Sequence, residues 1–125
     1  MAITHSIYLV SDATQAQEFL KKIFGFVVRA DEQTITGERF LTMGMGDGSG
    51  LQLQITEFDS LAEIVRLKQK SGVVDYIYET NDIGTLISAI EKEGMCIVRQ
   101  PTHANYGITA IFEDPFGNLW DLIQR

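Results

Sequence analysis

The chain has 125 residues, of which 45% are hydrophobic and 22% are charged, a composition that fits one globular domain with its own core. Its formal net charge is −7 at pH 7, which excludes nucleic acid as the main partner because phosphate binding requires clustered lysine and arginine. No apolar run approaches the ~18 residues of a membrane span and no secretory signal is evident, so we expect a cytoplasmic protein. The only cysteine, Cys96, excludes an internal disulfide and lies in an apolar stretch that predicts a buried strand.

The first half of the chain is predicted to contain four strands and one helix. Residues 3–10 alternate and are rich in β-branched side chains, which predicts a strand. Asp12 is placed to cap a helix over residues 13–24, which ends at Gly25. Further strands are predicted over residues 26–30, 38–43 and 51–56. The glycine-rich segment 43–50 lacks the Lys-Ser/Thr ending of a phosphate loop and precedes a strand, so it is interpreted as a hairpin connection.

The second half repeats this order after an amphipathic helix over residues 58–70. A strand over residues 73–80 is followed by Asp82, which caps a helix that ends at Gly94. The chain is then predicted to form a strand, a loop and two strands, over residues 95–100, 101–106, 107–112 and 119–124.

The turn of the last hairpin is the most clearly marked turn in the sequence. Asp114-Pro115 starts it, because proline presets φ near −65°, and Gly117-Asn118 is predicted to supply positive φ. Asp121 then interrupts an apolar strand, and a carboxylate in that position requires a partner.

The two halves match in spacing as well as in order. His5 to Asp12 and Asp75 to Asp82 are both seven residues. The sequence therefore predicts an α+β fold of two βαβββ modules, residues 1–57 and 73–125, joined by a helix over residues 58–71 in one domain.

Alternation along these strands predicts a polar face. Side chains of a strand point alternately to opposite faces, so residues of equal parity share a face. If the apolar sets pack under the helices, the opposite face carries six polar residues: His5, Gln52, Gln54, Asp75, Glu79 and Asp121.

The chain resembles the vicinal oxygen chelate superfamily, which includes glyoxalase I, bleomycin-resistance proteins and extradiol dioxygenases. The resemblance covers nearly the whole length and is carried by four motifs: His5-x-x-Tyr8-x-Val10-x-Asp12, Phe19 through Phe24-Gly25-Phe26, Glu38-Arg39-Phe40-Leu41, and Asp114-Pro115-Phe116-Gly117-Asn118-Leu119-Trp120-Asp121. It implies that the modules pair into a cupped half-barrel with the helices outside, commonly as a homodimer, and that the cup holds a divalent metal and a small molecule.

The resemblance places the metal positions of glyoxalase I on His5, Gln54, Asp75 and Asp121. Only His5 keeps the family's residue type, since the pattern is His or Gln, Glu, His and Glu. One nitrogen and three oxygen donors suit Mn²⁺, Mg²⁺ or Ca²⁺ better than Zn²⁺, and we retain Mn²⁺, Mg²⁺, Ni²⁺ and Zn²⁺ as candidate cofactors.

Five further residues are candidate ligand contacts: Gln52, Glu79, Arg39, His103 and Tyr106. For Arg39 a packing and ion-pair role is the preferred interpretation, and the last two residues are alternatively interpreted as solvated loop residues. Two functions remain open. One is a metal-free protein that binds a cationic small molecule in an acidic cup. The other is a metal-dependent lyase, isomerase or transferase of glyoxalase type, in which Asp121 shuttles a proton.

Overall fold

The computed structural model describes residues 1–46 and 50–125. Its helices are α1 (Ala13–Phe24), α2 (Phe58–Ser71) and α3 (Ile83–Lys92). Its strands are β1 (His5–Val10), β2 (Val27–Gln33), β3 (Arg39–Gly44), β4 (Gly50–Ile55), β5 (Tyr76–Glu79), β6 (Cys96–Ala104), β7 (Gly107–Glu113) and β8 (Leu119–Gln124). The predicted α+β class and the two βαβββ modules are confirmed. No described helix is both long enough and apolar enough to cross a membrane.

The chain divides into two compact units, Met1–Leu61 and Ala62–Arg125, with the division inside α2. The first unit contains one four-stranded sheet of order β1-β4-β3-β2, in which β1 and β4 are parallel and the other pairs antiparallel. Helix α1 begins at Asp12, whose side chain accepts from Gln15 N at 3.0 Å, and ends at Gly25 with φ of 71°. Both capping predictions are therefore confirmed.

The core of the first unit lies between α1 and one face of its sheet. The helix buries its residues at helical spacing, and β1 and β4 bury alternate residues, whereas β3 is buried continuously from Leu41 to Gly44. These core side chains are Ala16, Phe19, Leu20, Ile23, Phe24, Tyr8, Val10, Leu41, Met43, Leu51 and Leu53.

The second unit repeats the arrangement with the order β5-β8-β7-β6, in which β5 and β8 are parallel. Asp82 caps α3 by accepting from Thr85 N at 3.0 Å. The Ile83 N–H at the start of α3 donates to Gln124 Oε1 at 2.7 Å, so the face of β8 that carries Gln124, Leu122 and Trp120 is the face covered by the helix. Asp121 therefore lies on the opposite face, which we call the helix-free face.

The closing hairpin is organised by the buried carboxylate of Asp114, which is 5% exposed. Its Oδ1 accepts from Phe116 N at 2.8 Å and Asn118 N at 3.0 Å, and its Oδ2 accepts from Trp120 Nε1 at 3.0 Å. One aspartate thus fixes the turn and holds the indole that follows it. The predicted turn is confirmed, although only Gly117 has positive φ, at 88°, and the prediction for Asn118 is wrong.

Two local predictions in β6 are wrong. Residues 101–104 continue the strand instead of forming a loop, because β6 is an edge strand with register shifts that tolerate Pro101, which has no N–H to donate. Cys96 is exposed, since it begins this edge strand. In the predicted hairpin connection, Gly44 pairs with Gly50, and residues 47–49 lie outside the described residues.

Candidate functional site

The helix-free face of the first sheet carries the polar residues that strand parity assigns to it. His5 lies beside Gly50, Gln52 beside Ile7, and Gln54 beside Leu9. The His5 imidazole meets the Phe40 ring edge-on, with 6.5 Å between ring centroids. Its Nδ1 lies 2.9 Å from Thr4 Oγ1.

Gln52 lies nearer to His5 along the strand than Gln54 does. Gln54 is level with Leu9, four residues from His5, whereas Gln52 is level with Ile7, two residues away. At a rise of about 3.3 Å per residue these offsets are roughly 13 and 7 Å. Gln52, which the sequence assigned to ligand contact, is therefore the better placed companion of His5.

Arg39 is turned away from this face. It shares the helix side of the sheet with Leu41, and its guanidinium forms a bidentate ion pair with Asp31, at 2.8 Å from Nε and 2.9 Å from a terminal nitrogen. The hydrogen bonds raise the pKa of Arg39 and lower that of Asp31. Arg39 thus joins β3 to the edge strand β2 through an ion pair, in line with its interpretation as an ion-pair residue.

In the second unit, Asp75 is held by two protein donors. Its Oδ1 accepts from Lys68 Nζ at 2.7 Å and its Oδ2 accepts from Leu119 N at 2.8 Å. Lys68 also donates to Asn118 Oδ1 at 3.2 Å, so α2, the start of β5 and the closing turn are joined. The Asp75 side chain is 12% exposed and that of Lys68 24%, so the pair is shielded from solvent.

The other three predicted contacts all lie in the second unit. Glu79 pairs with Arg125 at 2.6 Å, with both side chains largely exposed. His103 lies in β6 opposite Ile108, and Tyr106 lies in the exposed β6–β7 turn.

Asp121 lies on the helix-free face of the second sheet, between apolar side chains of the neighbouring strands. It pairs with Ile77 of β5 and Ile111 of β7, and Ile111 pairs with Arg99 of β6. A row across the four strands therefore reads Ile77, Asp121, Ile111, Arg99. The Asp121 Oδ1 atom is buried and accepts no hydrogen bond from the residues that the structure describes.

The pKa of Asp121 is set by its burial in this row and by the charge of Arg99. Burial raises the pKa of Asp121, and the charge of Arg99 two strands away partly opposes the effect. Arg99 donates to Thr109 at 2.9 Å, which holds its guanidinium over the same face. The arrangement is an acceptor and a cation separated by one apolar side chain, Ile111.

Sequence reasoning missed Arg99 because of a β-bulge. Ile97 pairs with Phe112 and Arg99 with Ile111, so the register shifts by one residue between them. Simple alternation would place Arg99 with Ile97 on the helix side, but the bulge reverses its face. The basic residue itself was visible in the sequence; the bulge was not.

Asp121→Asn is expected to stabilise the fold at pH 7 and to have no effect near pH 3. A pKa raised in the folded state means that this group's contribution is favourable below its ordinary value of 3.8 and is lost as the pH rises through the folded-state pKa. The amide removes the desolvated charge. Urea unfolding at the two pH values measures the difference, with Asp59→Asn as an exposed control. A loss of stability at pH 7 would contradict the expectation.

The predicted metal donors fit a divalent ion poorly. Both oxygens of Asp75 are already engaged by donors, and a cation there would have to displace the Lys68 ammonium. Among the described residues no group of three or more His, Cys, Asp or Glu side chains is arranged to hold a metal.

Comparison with known proteins identifies the class. The model of the Glyoxalase/Bleomycin resistance protein/Dioxygenase superfamily matches residues 2–122, and the chain belongs to this superfamily. An uncharacterized protein of Shewanella frigidimarina is 26% identical, with 98% of this chain and 93% of that protein covered.

Two solved structures share the fold. TnmS3 from Streptomyces sp. CB03234, described as an antibiotic binding protein, has a TM-score of 0.67 at 22% identity and covers 99% of this chain and 98% of its own. Glyoxalase I from Zea mays has a TM-score of 0.69 at 20% identity, over 97% of this chain and 43% of its own. The fold predicted from the sequence motifs is thus confirmed.

Proposed function

We propose that this protein binds a small organic molecule, with Asp121 as the acceptor that orients it. The observation that carries the proposal is the buried Oδ1 of Asp121, which accepts no hydrogen bond from the described residues. A buried polar atom without a partner costs roughly 1–3 kcal/mol, so a ligand that donates to it recovers that free energy.

The neighbours of Asp121 define the ligand class. Ile77 is 71% exposed beside it, which offers apolar surface to a ring or chain. A cationic or hydrogen-bond-donating group suits the carboxylate, and an acceptor suits Arg99 at the other end of the row. TnmS3, which is described as an antibiotic binding protein, supports the use of this fold to bind a small molecule.

The competing function is the metal-dependent lyase, isomerase or transferase of glyoxalase type, in which Asp121 is catalytic. His5 and Asp121 are the donors that favour it, since neither is consumed by an ion pair in the described residues. Asp75 weighs against it, because Lys68 already neutralises that carboxylate.

One experiment separates the two functions. Benzylamine and benzoate are compared by thermal shift, since a ligand that binds the folded state raises the melting temperature with the logarithm of its concentration. Benzylamine is expected to stabilise the protein and benzoate to have no effect, and Asp121→Asn is expected to remove the shift. Glu79→Gln is the matched control, because it removes a carboxylate on the same face that is already paired with Arg125.

The other outcomes are equally informative. Equal loss of the shift in both variants would indicate non-specific attraction to an acidic surface and contradict the proposal. Calorimetric binding of one Mn²⁺, Mg²⁺, Ni²⁺ or Zn²⁺ per chain that His5→Ala and Asp121→Asn both abolish would support the lyase-type function instead.

We also propose that the protein is a cytoplasmic homodimer. The free thiol of Cys96 supports a reducing compartment, and the family resemblance supports the dimer. A monomer mass by light scattering would contradict the second point.

A further inference from the structure

A cavity of about 360 Å³ lies on the helix side of the first unit, between α1 and the edge strand β2. Its volume is within the range of ligand-binding pockets. It is on the face of the sheet opposite to His5 and Gln52, and the function proposed above does not use it.

The floor of this α1–β2 cavity is apolar. Phe26 and Met43 line it and are buried, at 8% and 2% exposure. Val27 and Val28 also line it, and both remain about half exposed, at 52% and 45%. Apolar surface of this kind is available to the hydrocarbon part of a ligand, whose burial is favourable in proportion to the area covered.

The rim is polar and comes from one stripe of α1, where Thr14, Glu18 and Lys21 follow one another at helical spacing. Glu18 and Lys21 are one turn apart, yet they form no ion pair with each other or with another described residue. The cavity therefore presents one uncommitted carboxylate and one uncommitted ammonium beside an apolar floor.

These charges discriminate between ligand types. A simple anion at Lys21 meets the like charge of Glu18, and a simple cation at Glu18 meets the like charge of Lys21. A zwitterion satisfies both, with its ammonium on Glu18 and its carboxylate on Lys21. We propose that the α1–β2 cavity binds a free α-amino acid with an apolar side chain, which packs on Phe26, Val27 and Met43.

The proposal is tested by NMR titration of the ¹⁵N-labelled full-length chain with L-phenylalanine. Saturable shifts are expected at the amides that surround the cavity, in residues 14–28, and not around Asp121. Phenethylamine and 3-phenylpropionate each lack one charge, so each is expected to bind about tenfold more weakly.

Variants locate the two charges. Glu18→Gln and Lys21→Gln are each expected to weaken phenylalanine binding by about tenfold. Lys92→Gln is the control, because Lys92 occupies the last turn of α3 as Lys21 does in α1. The proposal would be overturned if phenethylamine bound as tightly as phenylalanine, or if no saturable chemical-shift changes were seen. It would also be overturned if the chemical shifts changed with protein concentration alone, because a second copy of the chain would then cover the cavity.

Discussion

Replacement of Asp114 by alanine is expected to lower the free energy of unfolding by about 3 kcal/mol, since three hydrogen bonds end on one buried carboxylate. The substitution removes the carboxylate that accepts from the amides of Phe116 and Asn118 and from the indole N–H of Trp120. Trp120 is 2% exposed and packs between Tyr76, at 4.7 Å between ring centroids, and Phe112, at 6.2 Å. Chemical denaturation monitored by tryptophan fluorescence reports the loss directly.

Asp114→Asn separates the turn from the indole. The amide keeps one oxygen for the two backbone donors, but it presents an NH₂ group to Trp120 Nε1, which is also a donor. An intermediate loss is therefore expected, and Asp114→Asn should cost less in a Trp120→Phe background, where no indole N–H faces the new amide; circular dichroism follows that pair because Trp120 is the chain's only tryptophan. Glu91→Ala, an exposed acidic residue of α3, serves as control. Equal stability of Asp114→Ala and this control would refute the assignment of Asp114.

The local elements were predictable because their signals lie within a few residues of one another. A capping aspartate, an apolar stripe and a terminal glycine specify α1 by short-range interactions alone. The same pattern recurs after residue 72, so the second module is predicted by its own local signals. For the closing hairpin, Asp114-Pro115 and Gly117 indicated the turn, although the reason for aspartate became clear only when its three donors were seen.

The candidate site was less predictable, because its charges are set by contacts between distant residues. Asp75 is a metal ligand by the family resemblance, but in the structure Lys68 reaches it from α2. Arg99 changes face through a bulge that leaves no signature in the sequence. Parity assigns a side chain to a face, but it does not show which partner neutralises that side chain. The role of Asp121 stays a prediction, and its Oδ1 accepts no hydrogen bond from the described residues.

The function proposed for the helix-free face depends on whether a carboxylate is already paired within the protein. A carboxylate that already holds a lysine is a structural group, whereas one whose oxygen is buried without a donor retains a free energy that a ligand can recover. The second unit has one of each: Asp75 immediately precedes β5, and Asp121 lies in β8, the strand that pairs with β5. This contrast is why Asp121, and not Asp75, is assigned to the ligand.

Gly117→Ala is expected to destabilise the protein by about 3 kcal/mol through two separable effects. Gly117 has φ of 88°, a conformation that costs a residue with a side chain about 1 kcal/mol. A Cβ at this position would also lie 2.6 Å from Val65 Cγ1 and 2.9 Å from Cγ2, so α2 and the closing turn would be pushed apart. The midpoint and slope of urea denaturation measure the total.

Two variants resolve the contributions. Gly37 has nearly the same φ, 86°, but a Cβ there meets nothing within 4 Å, so Gly37→Ala should lose only the conformational part, about 1 kcal/mol. Val65→Ala removes both methyl groups that a Cβ at Gly117 would strike, so in that background Gly117→Ala should cost little more than Gly37→Ala does. If the cost at Gly117 is unchanged by Val65→Ala, the contact with α2 is not what requires glycine. If it falls, the closing turn is held by close packing against α2 as well as by the hydrogen bonds of Asp114.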